Sequence, residues 1–247
     1  MAHFEIEIKS LLGARARADE LKAKFLAKFP KARLKSANTQ LNHYFVFASP
    51  ASSESVDSSD DTFEKILQVL KPHFSEAQSA VLKKILLEGR SHSIRTRETS
   101  ENGEKKTLFV VKASLDDHTS ANGVSRQEFE EPVSLSLDDL DQLLLDAGLA
   151  YQAKWSRERE EYVAGKADDT NSIALCLDKN AGYGYVAEFE KIMHDASHAD
   201  TAKQELLTLM SELGVEELPQ DRLERMFAHY NAHWPEYYGT EKIFVVE

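Results

Sequence analysis

Charged and apolar residues alternate without interruption near the start of the chain, from Glu5 to Lys9 in the segment EIEIK. A β-strand points successive side chains to opposite faces, so this alternation predicts a strand with one charged and one apolar face. In a single half-buried strand the charged face simply meets water. Taken alone, the segment therefore favours an ordinary amphipathic surface strand.

Charged residues recur two positions apart in four later segments, at 95–97, 126–130, 157–159 and 188–190. Lys112 and Asp178 end two further segments that are rich in strand-forming residues. If the apolar faces of these strands pack on helices, their charged faces must close on one another. The interior would then be lined by acids and bases in equal number: Glu5, Glu7, Glu128, Glu130, Asp178, Glu188 and Glu190 with Lys9, Arg95, Arg97, Lys112, Arg126, Arg157 and Arg159.

The order of the predicted elements favours an α+β fold. Eight strands in hairpin-like succession predict a closed eight-stranded antiparallel β-barrel with peripheral helices. We interpret residues 50–91 as an insertion, in which a polar Ser/Asp stretch leads into two helices split at Pro72 and ended by Gly89. Residues 196–232 are predicted to form C-terminal helices. Because no internal repeat divides the 247 residues, we expect one domain over 1–247.

The overall composition argues against several classes of function. A formal net charge of -12 and the absence of Lys/Arg runs speak against a nucleic-acid partner. The single cysteine, Cys176, excludes an internal disulfide and a zinc site of several thiolates, which suits a reducing compartment. No apolar run approaches about 20 residues and no signal-peptide pattern is present, so we expect no membrane partner and a cytoplasmic protein.

An interior that holds this many ions has to be wet, because burying unpaired ions in a dry core is too costly. Carboxylates two positions apart supply hard oxygen ligands for Mg²⁺ or Mn²⁺, and clustered Lys and Arg side chains match the oxygens of a polyphosphate. A triphosphate with a divalent metal needs both sets side by side. The mixed signs within single strands therefore predict a tunnel that binds such a complex.

Six segments in sequence order resemble the CYTH proteins, the triphosphate tunnel metalloenzymes. EIEIK is similar to the E-x-E-x-K signature that opens the family, and IRTR resembles its Arg-x-Arg strand. VVKAS resembles the strand with its lone tunnel lysine, SRQEFEE its R-x-E-x-E strand, and SREREEY its basic strand before a tyrosine. LDKNAGYGYVAEFE resembles its Asp, Gly turn and E-x-E. The resemblance runs from Glu5 to about Met193.

The resemblance implies an eight-stranded tunnel whose acids hold one or two Mg²⁺ or Mn²⁺ ions and whose bases hold a triphosphate. The implied metal ligands are Glu5, Glu7, Glu128, Glu130, Asp178, Glu188 and Glu190. The implied phosphate ligands are Lys9, Arg95, Arg97, Lys112, Arg126, Arg157 and Arg159. Two departures from the family pattern are the long insertion at 50–91 and Val46, which stands where an Asp often follows the Tyr-Phe pair.

We predict a metal-dependent triphosphatase that acts on tripolyphosphate or thiamine triphosphate, with Glu5, Glu7 and Lys9 at the centre of catalysis. Lys9 would orient phosphate or assist proton movement. A class IV adenylate cyclase, which converts ATP to cyclic AMP and pyrophosphate, would use the same tunnel. A non-catalytic polyphosphate or nucleotide binder is the alternative from a different class. The oligomeric state is left open.

Simpler interpretations stay open for some of these residues. Arg157 and Arg159 lie in the run REREE, which is also typical of paired surface charges. Asp178 can instead begin the turn at Gly182. His43 is expected to be structural or exposed rather than a general base. Cys176 shares the alternation of Asp178, so we expect a small lining residue rather than a nucleophile.

Overall fold

The computed structural model describes residues 4–48, 59–114, 127–165, 172–193 and 198–245. The predicted phosphate ligand Arg126 and most of the predicted polar stretch at the start of the insertion lie outside these residues. The side chain of Glu5 also lies outside the described part of the structure, although its backbone belongs to the first strand.

Among the described residues eight strands form one sheet, which confirms the α+β class and the predicted number of strands. They are β1 (Phe4–Gly13), β2 (Arg33–Phe47), β3 (Arg90–Glu101), β4 (Glu104–Ser114), β5 (Gln127–Val133), β6 (Leu149–Ala164), β7 (Ile173–Asn180) and β8 (Gly184–Met193). Their order is β1-β8-β7-β6-β2-β3-β4-β5. β1 and β5 end this order with one neighbour each, so among the described residues the sheet is antiparallel but is not closed by a further strand pair. The closure of the predicted barrel is therefore corrected here, because no described pair of strands joins β1 to β5.

Six α-helices accompany the sheet in the ranges given above. They are α1 (Arg15–Lys28), α2 (Ser59–Leu70), α3 (Glu76–Glu88), α4 (Leu137–Asp146), α5 (Ala199–Leu213) and α6 (Gln220–Tyr237). In the predicted insertion, Pro72 lies in a short 3₁₀ turn between α2 and α3, and Gly89 caps α3 as expected. Ser75 begins α3 with a capping box to Gln78. None of the described helices combines the length and the apolar character needed to span a bilayer.

The chain divides into two compact units. The described residues of the first unit fall within Met1–Gln40 and Ser156–Glu247, and those of the second within Leu41–Asp117 and Arg126–Trp155. β2 and β6 contribute residues to both units. The single domain expected from the sequence stays a prediction.

The first unit buries the apolar face of β1, β7 and β8 against helices. Ile6 and Ile8 of β1 and Phe189 of β8 are fully buried. They form one cluster with Phe25 of α1 and Leu206 of α5. Because strand side chains alternate, the charged residues between these apolar positions lie on the opposite face.

The second unit has a hydrophobic core of its own. Phe109 and Val111 of β4 are fully buried and cluster with Ile66 of α2, Ile85 of α3 and Leu140 of α4. The helices of the predicted insertion thus supply part of this core. In this unit too, the helices cover the apolar face and leave the charged positions of β3, β4 and β5 on the other face.

A tight turn joins β7 to β8. Gly184 has a φ of +72°, and a Cβ at this position would lie 2.5 Å from the backbone oxygen of Gly13. The backbone N–H of Gly182 donates to the carbonyl of Lys242 at 2.9 Å, and the N–H of Phe244 donates to the carbonyl of Gly182 at 2.8 Å. The turn therefore requires glycine at position 184 and is bonded to the segment that follows α6.

Candidate functional site

Three carboxylates of the first unit converge on the charged face of β1 and β8. The antiparallel register places Glu7 opposite Glu190 and Lys9 opposite Glu188. Carboxylate oxygens of Glu7, Glu188 and Glu190 all lie within 4.8 Å of one another. This spacing allows one cation to contact all three residues, which we call the acidic triad.

Two arginines of β6 lie on the same face. Arg159 is opposite Asp178 of β7, and its guanidinium donates to both oxygens of that carboxylate at 2.7 Å. Arg159 also donates to Glu188 and lies 3.9 Å from Glu190. Arg157 donates to Asp178 at 2.9 Å. Both arginine side chains are at most 15% exposed, so neither is a solvated surface charge.

The electrostatics of this face favour an ionised Glu188. Lys9 Nζ donates to Glu188 Oε1 at 2.8 Å and also contacts Glu7. Burial acts to raise the pKa of Glu188, but the charges of Lys9, Arg159 and Arg157 hold this pKa well below its usual value. Burial likewise acts to lower the pKa of Arg159, whereas Glu188 and Asp178 raise it well above its usual value.

Cys176 lies on this face beside the acidic triad. Its side chain is fully buried, and Sγ donates to Glu190 Oε1 at 3.5 Å. Burial, followed by the negative charge of Glu190, raises the pKa of the thiol. A thiolate nucleophile is therefore disfavoured here, and Cys176 contributes a small neutral group to this face.

Sequence reasoning missed a second layer of polar residues around these arginines. Lys35 of β2 donates to Glu161 of β6 at 2.8 Å, and Ser36 donates to the other carboxylate oxygen at 3.2 Å. Gln40 accepts a hydrogen bond from Arg157 Nε at 2.8 Å. Glu161 continues the alternation of the β6 arginines and was detectable from that pattern. Lys35 lies in a segment without strand signals, so no pattern indicated it.

A second charged cluster occupies β3, β4 and β5 of the second unit. Arg97 Nη1 donates to the two oxygens of Glu130 at 3.1 and 3.0 Å. Lys112 lies opposite Glu128 in the register, with Nζ 3.2 Å from Oε2, and Arg95 Nη2 lies 3.7 Å from Oε1 of the same carboxylate. Burial acts to raise the pKa of Glu128, but Lys112 and Arg95 hold it below its usual value.

Neutral residues of β2 orient the two arginines of this second cluster. Asn42 Oδ1 accepts a hydrogen bond from Arg97 Nε at 2.8 Å. The Tyr44 hydroxyl accepts one from Arg95 Nη1 at 2.7 Å, and the guanidinium carbon lies 5.5 Å from the centre of the tyrosine ring. Neither residue is charged, so the search for charge alternation did not select them.

The donor chemistry of the acidic triad fits a hard divalent cation. Carboxylate oxygens are the protein ligands that Mg²⁺ and Mn²⁺ prefer. Asp178, by contrast, is fully buried and gives both of its oxygens to arginines. Glu128 and Glu130 belong to the second unit, where they contact basic residues. Of the predicted metal ligands, the triad is the set that the described residues bring together.

A family model for the CYTH domain matches residues 82–222 of the chain. This match covers more than half of the chain and includes β3 to β8, while β1 and β2 precede it. No curated protein sequence matches the chain.

Several solved structures share this fold at low sequence identity. The PH1819 protein from Pyrococcus horikoshii OT3 has a TM-score of 0.59 and 19% identity, over 91% of this chain and 98% of that one. A Vibrio parahaemolyticus protein named as a candidate adenylate cyclase has a TM-score of 0.57 and 14% identity, over 92% and 99%. The PH1012 protein from Pyrococcus horikoshii OT3 has a TM-score of 0.54 and 16% identity, over 86% and 92%. At these identities the likeness concerns the fold alone.

Proposed function

Because the chain belongs to the CYTH domain family, we propose that it is a divalent-metal-dependent enzyme that hydrolyses a triphosphate. The preferred substrates are inorganic tripolyphosphate and thiamine triphosphate. The observation that carries the proposal is the acidic triad with Lys9 and Arg159 directly beside it. Oxygen ligands for a cation and donors for phosphate oxygens adjoin there within hydrogen-bonding distance.

The proposed cofactor is Mg²⁺ or Mn²⁺, held by the acidic triad. Glu5, which lies two positions before Glu7 on β1, is proposed as a further ligand. Such a cation, when bound, offsets phosphate charge and lowers the pKa of a water molecule. The low pKa of Glu188 means that this side chain needs to lose no proton at neutral pH before it binds a cation. Asp178, Glu128 and Glu130 are better assigned to orienting the basic residues that they contact.

Lys9, Arg157 and Arg159 are the proposed phosphate ligands of the first unit. A guanidinium presents parallel N–H donors that match two phosphate oxygens, and an ammonium supplies a compact positive charge. Donors held in place before the reaction stabilise the charge that develops on the leaving oxygens. We assign Lys9 to orienting phosphate in preference to moving a proton.

Arg95, Arg97 and Lys112 of the second unit are proposed to bind phosphate on two grounds. Their side chains are cations that neighbouring residues hold in defined positions, and the family resemblance assigns these positions to phosphate. Arg126 joins the set on the resemblance alone.

The proposal is tested by incubating the protein with tripolyphosphate, thiamine triphosphate or ATP, each with Mg²⁺ or Mn²⁺, and identifying the products. We expect orthophosphate from tripolyphosphate or thiamine triphosphate. Cyclic AMP with pyrophosphate from ATP would instead establish the cyclase. Binding without any product would establish the non-catalytic binder.

The assignment of the acidic triad is tested with Glu188→Gln and Glu190→Gln. We expect each change to lower kcat by more than about 100-fold. Mutation of residues that only hydrogen-bond to metal ligands already costs up to about 100-fold in activity, and a ligand itself should cost more. Glu205→Gln is the matched control, since Glu205 is a half-exposed α5 residue that pairs with Lys191 on the helix-covered face. Unchanged turnover in the two triad variants would overturn the metal assignment.

A further inference from the structure

A carboxylate that the proposed mechanism does not use is buried in the second unit. Asp141 of α4 is 1% exposed. It accepts hydrogen bonds from Thr96 Oγ1 at 2.5 Å and from the Tyr151 hydroxyl at 2.7 Å, and His43 Nδ1 lies 2.6 Å from Oδ2. Lys154 Nζ lies 4.0 Å from Oδ2. Asp141 thus bonds to three strands, β2, β3 and β6.

Its partners on two of these strands occupy special positions. Thr96 stands between Arg95 and Arg97 on β3, and His43 stands between two residues of β2 that hydrogen-bond to those arginines. Because strand side chains alternate, Thr96 and His43 point toward α4, while the arginines and their partners point to the opposite face. One carboxylate therefore holds both strands from behind the charged cluster.

Asp141 lies on the apolar face of α4, where hydrophobic packing alone does not explain the presence of a carboxylate. The other buried residues of α4 are Leu137, Leu140 and Leu144, so a leucine at position 141 would continue the apolar face. A buried carboxylate is tolerated only when its hydrogen bonds are fully made, and such a network selects one arrangement of the groups around it. Here the selected arrangement is the alignment of β2 with β3.

We propose that Asp141 is a positioning residue that sets the two arginines for phosphate binding, which rests on the proposed function. Its hydrogen bonds to Thr96 and His43 hold the β3 backbone between the two arginines and the β2 backbone between their two hydrogen-bond partners. Arg97 is then held with its Nε–H on Asn42, and its Nη1, which bonds to Glu130, is the donor that would exchange this carboxylate for phosphate. Asp141 itself touches neither substrate nor reacting atoms.

Steady-state kinetics of Asp141→Asn with the triphosphate that the wild type turns over tests this role. The amide cannot accept all three hydrogen bonds, so we expect KM to rise by about 10-fold with kcat within about threefold. Asp146→Asn is the matched control, because Asp146 is exposed on the same helix and contacts only Gln142 among the hydrogen bonds of the described residues. Equal KM values in the two variants would overturn the proposal, as would a loss confined to kcat.

Thr96→Val provides a second test if Asp141→Asn folds poorly. Valine removes one hydroxyl at nearly constant volume and should raise KM. Thr96→Ser keeps the hydroxyl, so its KM should stay near that of the wild type. The Nε–H signal of Arg97 in a heteronuclear NMR spectrum gives a readout without substrate. It is assigned as the signal that is missing from the spectrum of Arg97→Lys. Loss or shift of this signal in Asp141→Asn but not in Asp146→Asn supports positioning, and an unchanged signal overturns it. A wild type that turns over no triphosphate overturns the proposed function separately.

Discussion

On the charged face of the first unit, two basic side chains donate to the same carboxylate in two places. Lys9 and Arg159 both donate to Glu188, and Arg157 and Arg159 both donate to Asp178. A phosphate that binds these donors must therefore compete with carboxylates already in place. A cation on the acidic triad would weaken that competition, because Glu188 would turn part of its charge toward the metal. Metal and phosphate should accordingly favour each other's binding.

Lys35 carries a testable consequence of its position. Its ammonium bonds to Glu161, and although burial acts to lower its pKa, the charges of Glu161 and Glu190 raise it. We expect Lys35→Ala to raise KM for the triphosphate by about twofold to fivefold, with little change in kcat, because a half-exposed cation contributes attraction rather than chemistry. Steady-state kinetics at low ionic strength measures this change.

Lys105→Ala controls for the simple loss of one exposed positive charge. Lys105 is also exposed and pairs with Glu98 at 2.7 Å, on the β3–β4 hairpin. We expect its KM to match that of the wild type. Equal effects of the two alanine variants would mean that Lys35 acts only through net charge.

Charged residues of the candidate site were accessible from sequence, whereas neutral ones were not. The period-two rule identified Glu7, Lys9 and Arg159, because ions at alternate positions stand out against apolar neighbours. Asn42 and Tyr44 obey the same alternation, but amide and phenol groups occur on many strand surfaces. Their role depends on which cation of the neighbouring strand they contact, and that strand is far away in the sequence.

At the element scale, the β7–β8 turn combines a positive φ with a close backbone contact. Gly184 and Gly103 both have positive φ, at +72° and +84°, but only Gly184 faces a neighbouring backbone atom at its Cβ position. The two glycines thus separate the effect of conformation from that of close contact. Register between β1 and β8, which aligns the acidic triad, begins at this turn.

Gly184→Ala should therefore destabilise the protein more than Gly103→Ala does. A left-handed conformation costs a non-glycine residue about 1–2 kcal/mol, and we expect this cost alone for Gly103→Ala. Overlap with the carbonyl of Gly13 should raise the loss to about 2–4 kcal/mol for Gly184→Ala. Chemical denaturation of both variants measures the difference, and equal midpoints would contradict the close contact.

Helix and strand signals located most elements but not all of their ends. In the structure Ser75 and Ser136 cap α3 and α4, because each side chain accepts a hydrogen bond from a backbone N–H in the first turn of its helix. β2 begins at Arg33, before the aromatic and β-branched residues that predicted it. α6 continues past residue 232 and includes Pro235. In both cases tertiary packing extends an element beyond its local preference.

On the scale of the whole molecule, cation binding should be visible as thermal stability. A ligand that binds only the folded state at about 100 times its dissociation constant adds about 2.7 kcal/mol. We expect Mn²⁺ to raise the unfolding midpoint by about 5–10 °C, and Mn²⁺ with tripolyphosphate to exceed the sum of the separate shifts. Differential scanning fluorimetry with added EDTA as the blank measures both effects.

Glu188→Gln with Glu190→Gln should abolish the Mn²⁺ shift, and Glu205→Gln should keep it. A shift that survives loss of both triad residues would place the cation elsewhere. Strictly additive shifts of metal and tripolyphosphate would contradict the expectation that metal and phosphate favour each other's binding.

The number and direction of the strands could be predicted for the part of the chain that the structure describes, but closure of the sheet could not. Turn signals such as ENGEK and the Gly182 turn mark where a strand reverses, and each acts over a few residues. A hydrogen-bonded closure joins strands far apart in sequence, and no local pattern encodes it. The predicted closure went beyond these local signals, and the strand order of the described residues instead ends at β1 and β5.

The bonds between the Gly182 turn and the segment after α6 have a practical consequence for anyone who subclones this protein. The family match stops at residue 222, inside α6, whereas the bonds come from Lys242 and Phe244. An expression clone trimmed to the match would remove the Phe244 ring that packs on Tyr183 and leave that aromatic surface bare. It would also discard β1, and with it Glu7 of the acidic triad, at the cloning step.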